Sequence, residues 1–265
     1  AEQIFLRGFD ADHGTDVAID VDGVPVNMVS HAHGQGYADL HWLIPEIVAN
    51  VAVRKGPYDA QDGDLATAGA VSLRTVDRIP QAVVSTRAGS FKTGHALALV
   101  PLGNSGAPSG GYLAVSAHYT DGPFENRQSY ARNNLFGKWT APVGSSAEFV
   151  ATAAGHDSRW DASGQIPERA VAAGTMSRYG SLGPSEGGNT QRHAASVAGG
   201  GPIRVRGALV AFGGPRRGGP AVADVVLDAE VAVGSTRVVA GRQHDAAIGA
   251  ALADRLRAGL LGNGG

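Results

Sequence analysis

Residues 44–75 read IPEIVANVAVRKGPYDAQDGDLATAGAVSLRT, and their reading decides how the rest of the chain is parsed. Pro45-Glu46 opens a short turn. Ile47, Val48, Val51 and Val53 form an apolar segment that stops at Arg54-Lys55-Gly56-Pro57. Gly-Pro ends regular structure, because glycine tolerates positive φ while proline fixes its own φ and lacks an N–H. A loop of small residues covers 59–69, and a short strand, Ala70 to Thr75, closes the stretch. Ala66, Ala68, Gly69 and Ala70 carry almost no side-chain bulk, so another backbone can come close. The pattern fits a small domain with tight turns packed where space is limiting.

Working outward, composition narrows the function classes. At 265 residues the chain holds one or two domains with a sizeable core. Net charge is −2, so there is no electrostatic case for a nucleic-acid partner or for anionic lipid. Glycine, 39 of 265, is about twice its usual share and favours turns and short strands over long helices. The absence of cysteine removes disulfides and thiolate metal sites. No window reaches the roughly 18–20 continuous apolar residues of a membrane helix. The strands of a membrane β-barrel are short and alternating and escape that test. The chain opens at Ala1-Glu2-Gln3 and runs directly into strand-like Ile4–Arg7, which reads as a start inside a domain, that is, a processed or truncated product.

Before the opening stretch, residues 17–22 alternate, with Val17, Ile19 and Val21 on one face and Asp20 and Asp22 on the other. Asp22-Gly23 is a hairpin signal. After Thr75, strands are expected over 82–89, 96–102, 112–120, 130–140 and 147–155, separated by turn residues, as in an antiparallel meander. Tyr119, Tyr130, Trp139 and Phe149 sit near strand ends, which suits a membrane girdle and a soluble sandwich alike. Residues 156–192 read as a long polar loop. From about Ala194 the text turns to Ala, Val, Gly and Arg, with Phe212 its only aromatic, and Asp245 to Leu261 has helical spacing. This tail reads either as a low-aromatic extra domain or as the product of a shifted reading frame of a GC-rich gene.

The chemistry-bearing residues are few. His13, His31, His33 and His41 lie among glycines. His31 and His33, two apart in an extended segment, point the same way, and imidazole suits Zn, Cu, Ni or Fe. No Glu or Cys joins them at metal-site spacing, so no metal ligand set and no cofactor is assigned. Asp20 and Asp22 could pair for acid/base work, yet nothing nearby supplies a nucleophile or leaving group. No P-loop and no His-Glu-x-x-His occurs. An enzyme is not expected; a hydrolase would need His31, Asp39 and a serine to meet in one cleft.

Five pieces then recur in one order: Leu6-Arg7-Gly8-Phe9, Val21-Asp22-Gly23-Val24-Pro25-Val26, Ile44-Pro45-Glu46-Ile47-Val48, Val51 to Pro57, and Ala68 to Thr75. Together they resemble the plug domain of TonB-dependent outer-membrane receptors. The resemblance covers roughly residues 1–192. It implies a partial, mixed α+β plug over 1–78 and the first strands of an incomplete transmembrane β-barrel, an antiparallel meander, over 79–193; the tail over 194–265 lies outside it and is expected, from its composition and spacing, to be irregular or helical. It implies a place in the Gram-negative outer membrane, in contact with its lipid. Its function would be import of a scarce extracellular solute such as a metal chelate, a siderophore, a cobalamin or a glycan. The implied partner is a TonB-type periplasmic energy-coupling protein, whose contact segment does not occur in this stretch.

By the same resemblance, the plug apex would bring His13, His31, His33, Gln35 and Tyr37 to the ligand, and Arg7, Asp22, Glu46, Arg54 and Arg74 would be structural charges in plug-internal or plug-to-barrel ion pairs. Glu186-Gly187-Gly188-Asn189 would touch ligand if the long loop is extracellular. The competing reading of the same residues is a soluble β-rich module that binds a metal through the His-rich loop.

Overall fold

A computed structural model describes residues 5–6, 8–10, 16–28, 37–104, 106–183, 185–200, 203–214, 222–233 and 236–243. The chain divides into two compact units, Ala1–Pro80 and Gln81–Gly265.

The first unit holds a short hairpin, β1 (Phe5–Leu6) with β2 (Phe9–Asp10), and a four-stranded sheet. The sheet contains β3 (Val17–Val21), β4 (Val24–Pro25), β5 (Val48–Lys55) and β6 (Gly69–Thr75), in the order β4-β3-β6-β5. Strand β3 alternates as its sequence dictates, with Val17, Ile19 and Val21 buried. Asp22 and Gly23, both at positive φ, make the two-residue turn into β4, the geometry that Asp-Gly favours. Asp22 is therefore a turn residue, not a member of the strand face. Its carboxylate accepts from the Thr75 N–H at 3.0 Å and from the Thr75 hydroxyl at 2.5 Å, tying the turn to the end of β6. Asp22→Ala is expected to destabilise the unit by about 1–3 kcal/mol, read from urea unfolding, because Thr75 loses a charged acceptor.

The central strands β3 and β6 run parallel, Val17 to Gly69 through Val21 to Leu73, and β5 joins antiparallel as the outer strand. The outer position explains why Val51 and Val53, read as an apolar segment, are exposed. Ile44 and Ile47, at either end of the Pro45–Ile47 3-10 turn, are fully buried with Val26 and Val17.

The second unit is one antiparallel meander of nine strands. They are β7 (Val83–Gly89), β8 (Thr93–Leu102), β9 (Gly110–Thr120), β10 (Tyr130–Val143), β11 (Ala147–Asp161), β12 (Gly187–Gly200), β13 (Ile203–Gly214), β14 (Val222–Val233) and β15 (Thr236–Gln243). Each pairs with its sequence neighbour, and among the described residues β7 and β15 are the sheet's edges. The sheet is open.

Two expectations are corrected here. Strand β11 runs to Asp161 and β12 starts at Gly187, so the connection is 162–186, with one short helix, α1 (Glu168–Ala172). His156 to Asp161 hid its strand character because it is polar on both faces. The tail expected to be irregular or helical is strand over 203–214, 222–233 and 236–243. Its period of two was masked by glycine and alanine: Ile203, Val205 and Leu209 alternate with Arg204 and Arg206, and Val225, Leu227 and Val231 with Asp224, Asp228 and Glu230. The helical spacing at Asp245 to Leu261 lies outside the described residues.

The faces of β7–β12 differ from those of a water-soluble sheet: the exposed face is apolar and the buried face is of mixed polarity. One face exposes Val84, Val100, Val115, Leu135 and Val197, with Tyr119, Trp139 and Phe149 also on it. The opposite face buries Ser116, Asn134, Lys138, Thr140, His156, Ser158 and Arg192 together with Leu97, Leu99, Tyr112 and Phe136. Lys138 keeps only 6% of its surface exposed, whereas Leu135 keeps 47%. The aromatics mark two levels. Tyr119 pairs with Ala131, and Phe149 pairs with Ala141 on the same strand, ten residues further (141 − 131). That is about 34 Å along the strand, or about 26 Å in height at a tilt of about 40°. Tyr130, read with the other aromatics as a girdle, is on the polar face beside His118, with ring centroids 5.7 Å apart. The connections are also unequal. One end carries 90–92, 121–129 and 162–186; the other carries 103–109 and 144–146.

Candidate functional site

Two places carry chemistry. The first is the loop that follows β4. Asn27 is pinned to β3: its Oδ1 accepts from the Ile19 N–H at 2.7 Å and its Nδ2 donates to the Val17 carbonyl at 2.9 Å. The Met28 N–H then donates to the Tyr37 carbonyl at 2.8 Å, closing the neck of loop 29–36. The described residues on either side of 29–36 are thus tied to each other and, through Asn27, to β3.

On the returning side stand Tyr37, Asp39 and His41. His41 Nδ1 and Asp39 Oδ1 are 2.6 Å apart, and the His41 N–H also donates to Asp39 Oδ1 at 2.8 Å. Burial pushes the Asp39 carboxyl up, but the two hydrogen bonds and the charge of His41 together outweigh it and bring the pKa down to about 2. Burial, then the Asp39 charge, pushes the Tyr37 phenol up to about 12, so Tyr37 stays a neutral donor at any physiological pH.

Because the folded pKa of Asp39 is below its ordinary 3.8, its stabilisation is complete above that value and is lost as pH falls toward about 2. The lowering corresponds to about 2 kcal/mol. Acid unfolding followed at the buried Trp42 should steepen between pH 4 and 2. His41→Ala should flatten that step and raise the Asp39 carboxyl from about 2, read by carbon NMR, since the imidazole bond and charge are lost and the residue 41 N–H alone is left of the two hydrogen bonds that oppose burial.

The remaining residues assigned by resemblance are placed as follows. Arg7, His13, His31, His33 and Gln35 lie outside the described residues. Arg54 pairs with Asp62 across the turn that follows β5, not with Glu46 or Asp22. Its strand end faces that turn, and the Asp62 side chain is only 3% exposed beneath it. Glu46 and Arg74 are exposed. Asp20 accepts from the Gly23 N–H and the Ser72 hydroxyl, which gives it a structural task. Among the described residues no group of three or more His, Cys, Asp or Glu converges as a metal site. A Gly-x-Ser-x-Gly pattern, which the sequence reading passed over, does occur at 183–187. It ends a loop and enters β12, so the strand-to-helix turn that makes such a serine a nucleophile is missing.

The second place is the polar face of the meander, which sequence reasoning read only in part. The alternation of β9 puts Ser116 and His118 on one side, but pairing alone reveals what stands beside them. His95 pairs with His118 and His118 with Arg132. One row further from the long connections, Ser116, Asn134, His156 and Arg192 are successive partners. His95 Nε2 lies 3.0 Å from Ser116 Oγ, and His156 Nδ1 donates to Asn134 Oδ1 at 2.7 Å. Where β9 meets the long connections stands a small charged cluster. There Asp121 accepts from the Tyr119 hydroxyl at 2.7 Å and meets Lys92 at 3.1 Å. The Tyr119 hydrogen bond, then that of Lys92, holds the Asp121 carboxyl below the usual carboxylate range.

Comparison with known proteins follows these features. Residues 1–70 match the TonB-dependent Receptor Plug Domain. No curated protein matches the chain by sequence. Among solved structures, the siderophore receptor PiuA from Acinetobacter baumannii is similar with a TM-score of 0.59 at 13% identity, over 87% of this chain and 31% of that one. The siderophore receptor PirA from Pseudomonas aeruginosa gives 0.56 at 18%, over 86% and 39%. The ferric-catecholate import receptor Fiu from E. coli K12 gives 0.56 at 14%, over 87% and 40%. The chain therefore spans between 31% and 40% of the length of these structures. No helix among the described residues is long and apolar enough to cross a membrane, which says nothing of strands. Residues 1–70 thus match the TonB-dependent receptor plug domain, and over the part it covers the chain has the fold of these solved receptors, a small mixed unit followed by an open antiparallel sheet.

Proposed function

We propose that this chain is the plug and part of the barrel wall of an outer-membrane receptor that captures an extracellular solute, a siderophore or related metal chelate, for TonB-driven import. The sheet carries the reading. A single-layered meander that exposes valine, leucine and aromatic side chains on one face, and buries lysine, arginine and histidine on the other, suits lipid outside and a polar lumen inside. The band between its aromatic levels, about 26 Å, matches the apolar height of such walls, about 25 Å. The inequality of the connections agrees, since barrels of this kind have short periplasmic turns and longer extracellular loops. The solute class is supported by the neighbouring solved structures, which are siderophore and ferric-catecholate receptors.

In this reading the work is binding and release, with no covalent step. The loop 29–36, held at its neck by Met28 and Tyr37, is the ligand-facing element of the plug, with His31, His33 and Gln35 on it and Tyr37 as a neutral phenol donor. His13 joins these candidates by the same resemblance. The energy-coupling protein acts from the periplasm.

The test is fractionation of cells that express the chain behind a secretion signal, followed by binding of a labelled ferric siderophore to the recovered membranes. Recovery in the outer-membrane fraction with saturable binding supports the reading. Recovery as a water-soluble protein, with zinc or nickel binding lost on His31→Ala and His33→Ala, would replace it with the metal-module reading.

A further inference from the structure

We propose that Lys92 and Arg127, set above Tyr119 at the long-connection end of the sheet, form a seat for the phosphate of a membrane-lipid headgroup. This seat presupposes the receptor reading and adds a lipid site on its outer face. Tyr119 is on the exposed apolar face, 38% open, and its hydroxyl donates to Asp121 at 2.7 Å. Asp121 also meets Lys92 Nζ at 3.1 Å and Arg127 Nε at 3.9 Å. The cluster is therefore tied to the face that carries valine and leucine, not to the polar one. Tyrosine is a residue of the membrane–water interface, where headgroups lie.

The charges here do not balance. Two cations share one carboxylate, which lies beneath them: the Asp121 side chain is 9% exposed, those of Lys92 and Arg127 66% and 68%. Arg159, also exposed, is in register with Tyr119 across Ala131 and so on the same face. Asp157, two residues back on that strand, already accepts from Gln191 Nε2 at 3.1 Å. The outward surplus is positive, and the chain's net charge of −2 averages over it. An ammonium beside a guanidinium suits a phosphate, the guanidinium taking two oxygens at once. Lysine and arginine next to a bilayer are drawn to anionic headgroups.

The backbone gives a second, independent sign. The Thr93 N–H donates to the Ser90 carbonyl at 3.0 Å, closing a turn in which Phe91 and Lys92 have φ of +57° and +55°. Asp22-Gly23 meets the same demand with residues that tolerate it; phenylalanine and lysine do not. The turn is held by the Asp121 N–H, which donates to the Phe91 carbonyl at 2.8 Å. Strain of this kind persists where the surroundings impose it, and it gathers at functional sites. Its result here is Lys92 held over Asp121, with its neighbour Phe91 55% exposed.

The experiment is native mass spectrometry of the full chain in a neutral detergent, titrated with phosphatidic acid and, separately, with phosphatidylcholine. One saturable phosphatidic acid adduct is expected, preferred about tenfold or more over phosphatidylcholine. Arg127→Gln should weaken it roughly fivefold, the order expected for one cation near an anionic surface. Lys92→Asn should do the same while leaving the fold at least as stable, since asparagine accepts positive φ more readily. A Lys92 with only a structural role would not separate those two readouts. Lys55→Gln, in the first unit, should leave the adduct unchanged. Wild type without the preference, or folded Lys92→Asn and Arg127→Gln that bind like wild type, overturns the inference. Inorganic phosphate that displaces the lipid at equal concentration makes this a seat for soluble anions and overturns the lipid assignment. Protein that reaches the outer membrane yet shows no preference overturns this inference alone; protein that never reaches it overturns the receptor reading.

Discussion

Leu135→Arg should prevent the chain from holding its place in a lipid bilayer. Leu135 lies in the middle of β10 on the apolar face, with Val115 and Gly155 as its partners, and it is 47% exposed. An arginine on the lipid-facing side of a strand costs about 2–4 kcal/mol near the midplane. On a water-facing sheet, the same half-exposed position would change stability by less than about 0.5 kcal/mol. The two environments therefore predict clearly different results from one substitution. The measurement is the folded fraction in lipid vesicles, read by urea titration and gel mobility without heating. A variant that folds as well as wild type would show that water, not lipid, faces Leu135.

The second large effect is at Gly69, where β6 begins. Its φ is +147°, and a Cβ there would stand 2.1 Å from the Arg54 carbonyl oxygen and 3.0 Å from Leu6 Cδ2. The carbonyl belongs to the neighbouring strand β5, whose Lys55 pairs with Gly69, so it cannot retreat without opening the ladder. Gly69→Ala should cost about 3–5 kcal/mol, combining backbone strain with a main-chain clash. Gly63→Ala is the comparison. Gly63 has φ +75° but nothing within 4 Å of its would-be Cβ, so it should cost only about 1–2 kcal/mol. The emission of Trp42, the single tryptophan of the first unit and buried there, reports both transitions. Equal costs for the two variants would mean that close approach of β5 contributes nothing at Gly69.

Local chemistry made much of this legible in the chain itself. Asp22-Gly23 named its own turn, because few pairs tolerate two positive φ angles in succession. The run of Ala66, Ala68, Gly69 and Ala70 announced a close backbone approach, and the Arg54 carbonyl is what approaches Gly69. The strands from Val83 to Val143 followed from alternation. Where the two faces are alike in polarity, alternation falls silent: His156 to Asp161 read as loop and is strand. Where small residues blur the contrast, as in 203–243, composition pointed away from strands that the ladder supports.

The sequence by itself determined the turns, the positions that must be glycine, the order of the plug segments and the two-faced character of the clearest strands. These depend on φ/ψ limits and on side-chain period, which are properties of neighbours in the chain. Only the tertiary structure decided that β3 and β6 run side by side in parallel, that Arg54 pairs with Asp62, and that Arg87, His95, His118 and Arg132 form one row. Those facts depend on register between strands, and a shift of one residue would move each side chain to the opposite face. The loop residues proposed to meet the solute were visible in the sequence as isolated histidines; that His95 stands beside Ser116, and His156 beside Asn134, appeared only when the strands aligned them.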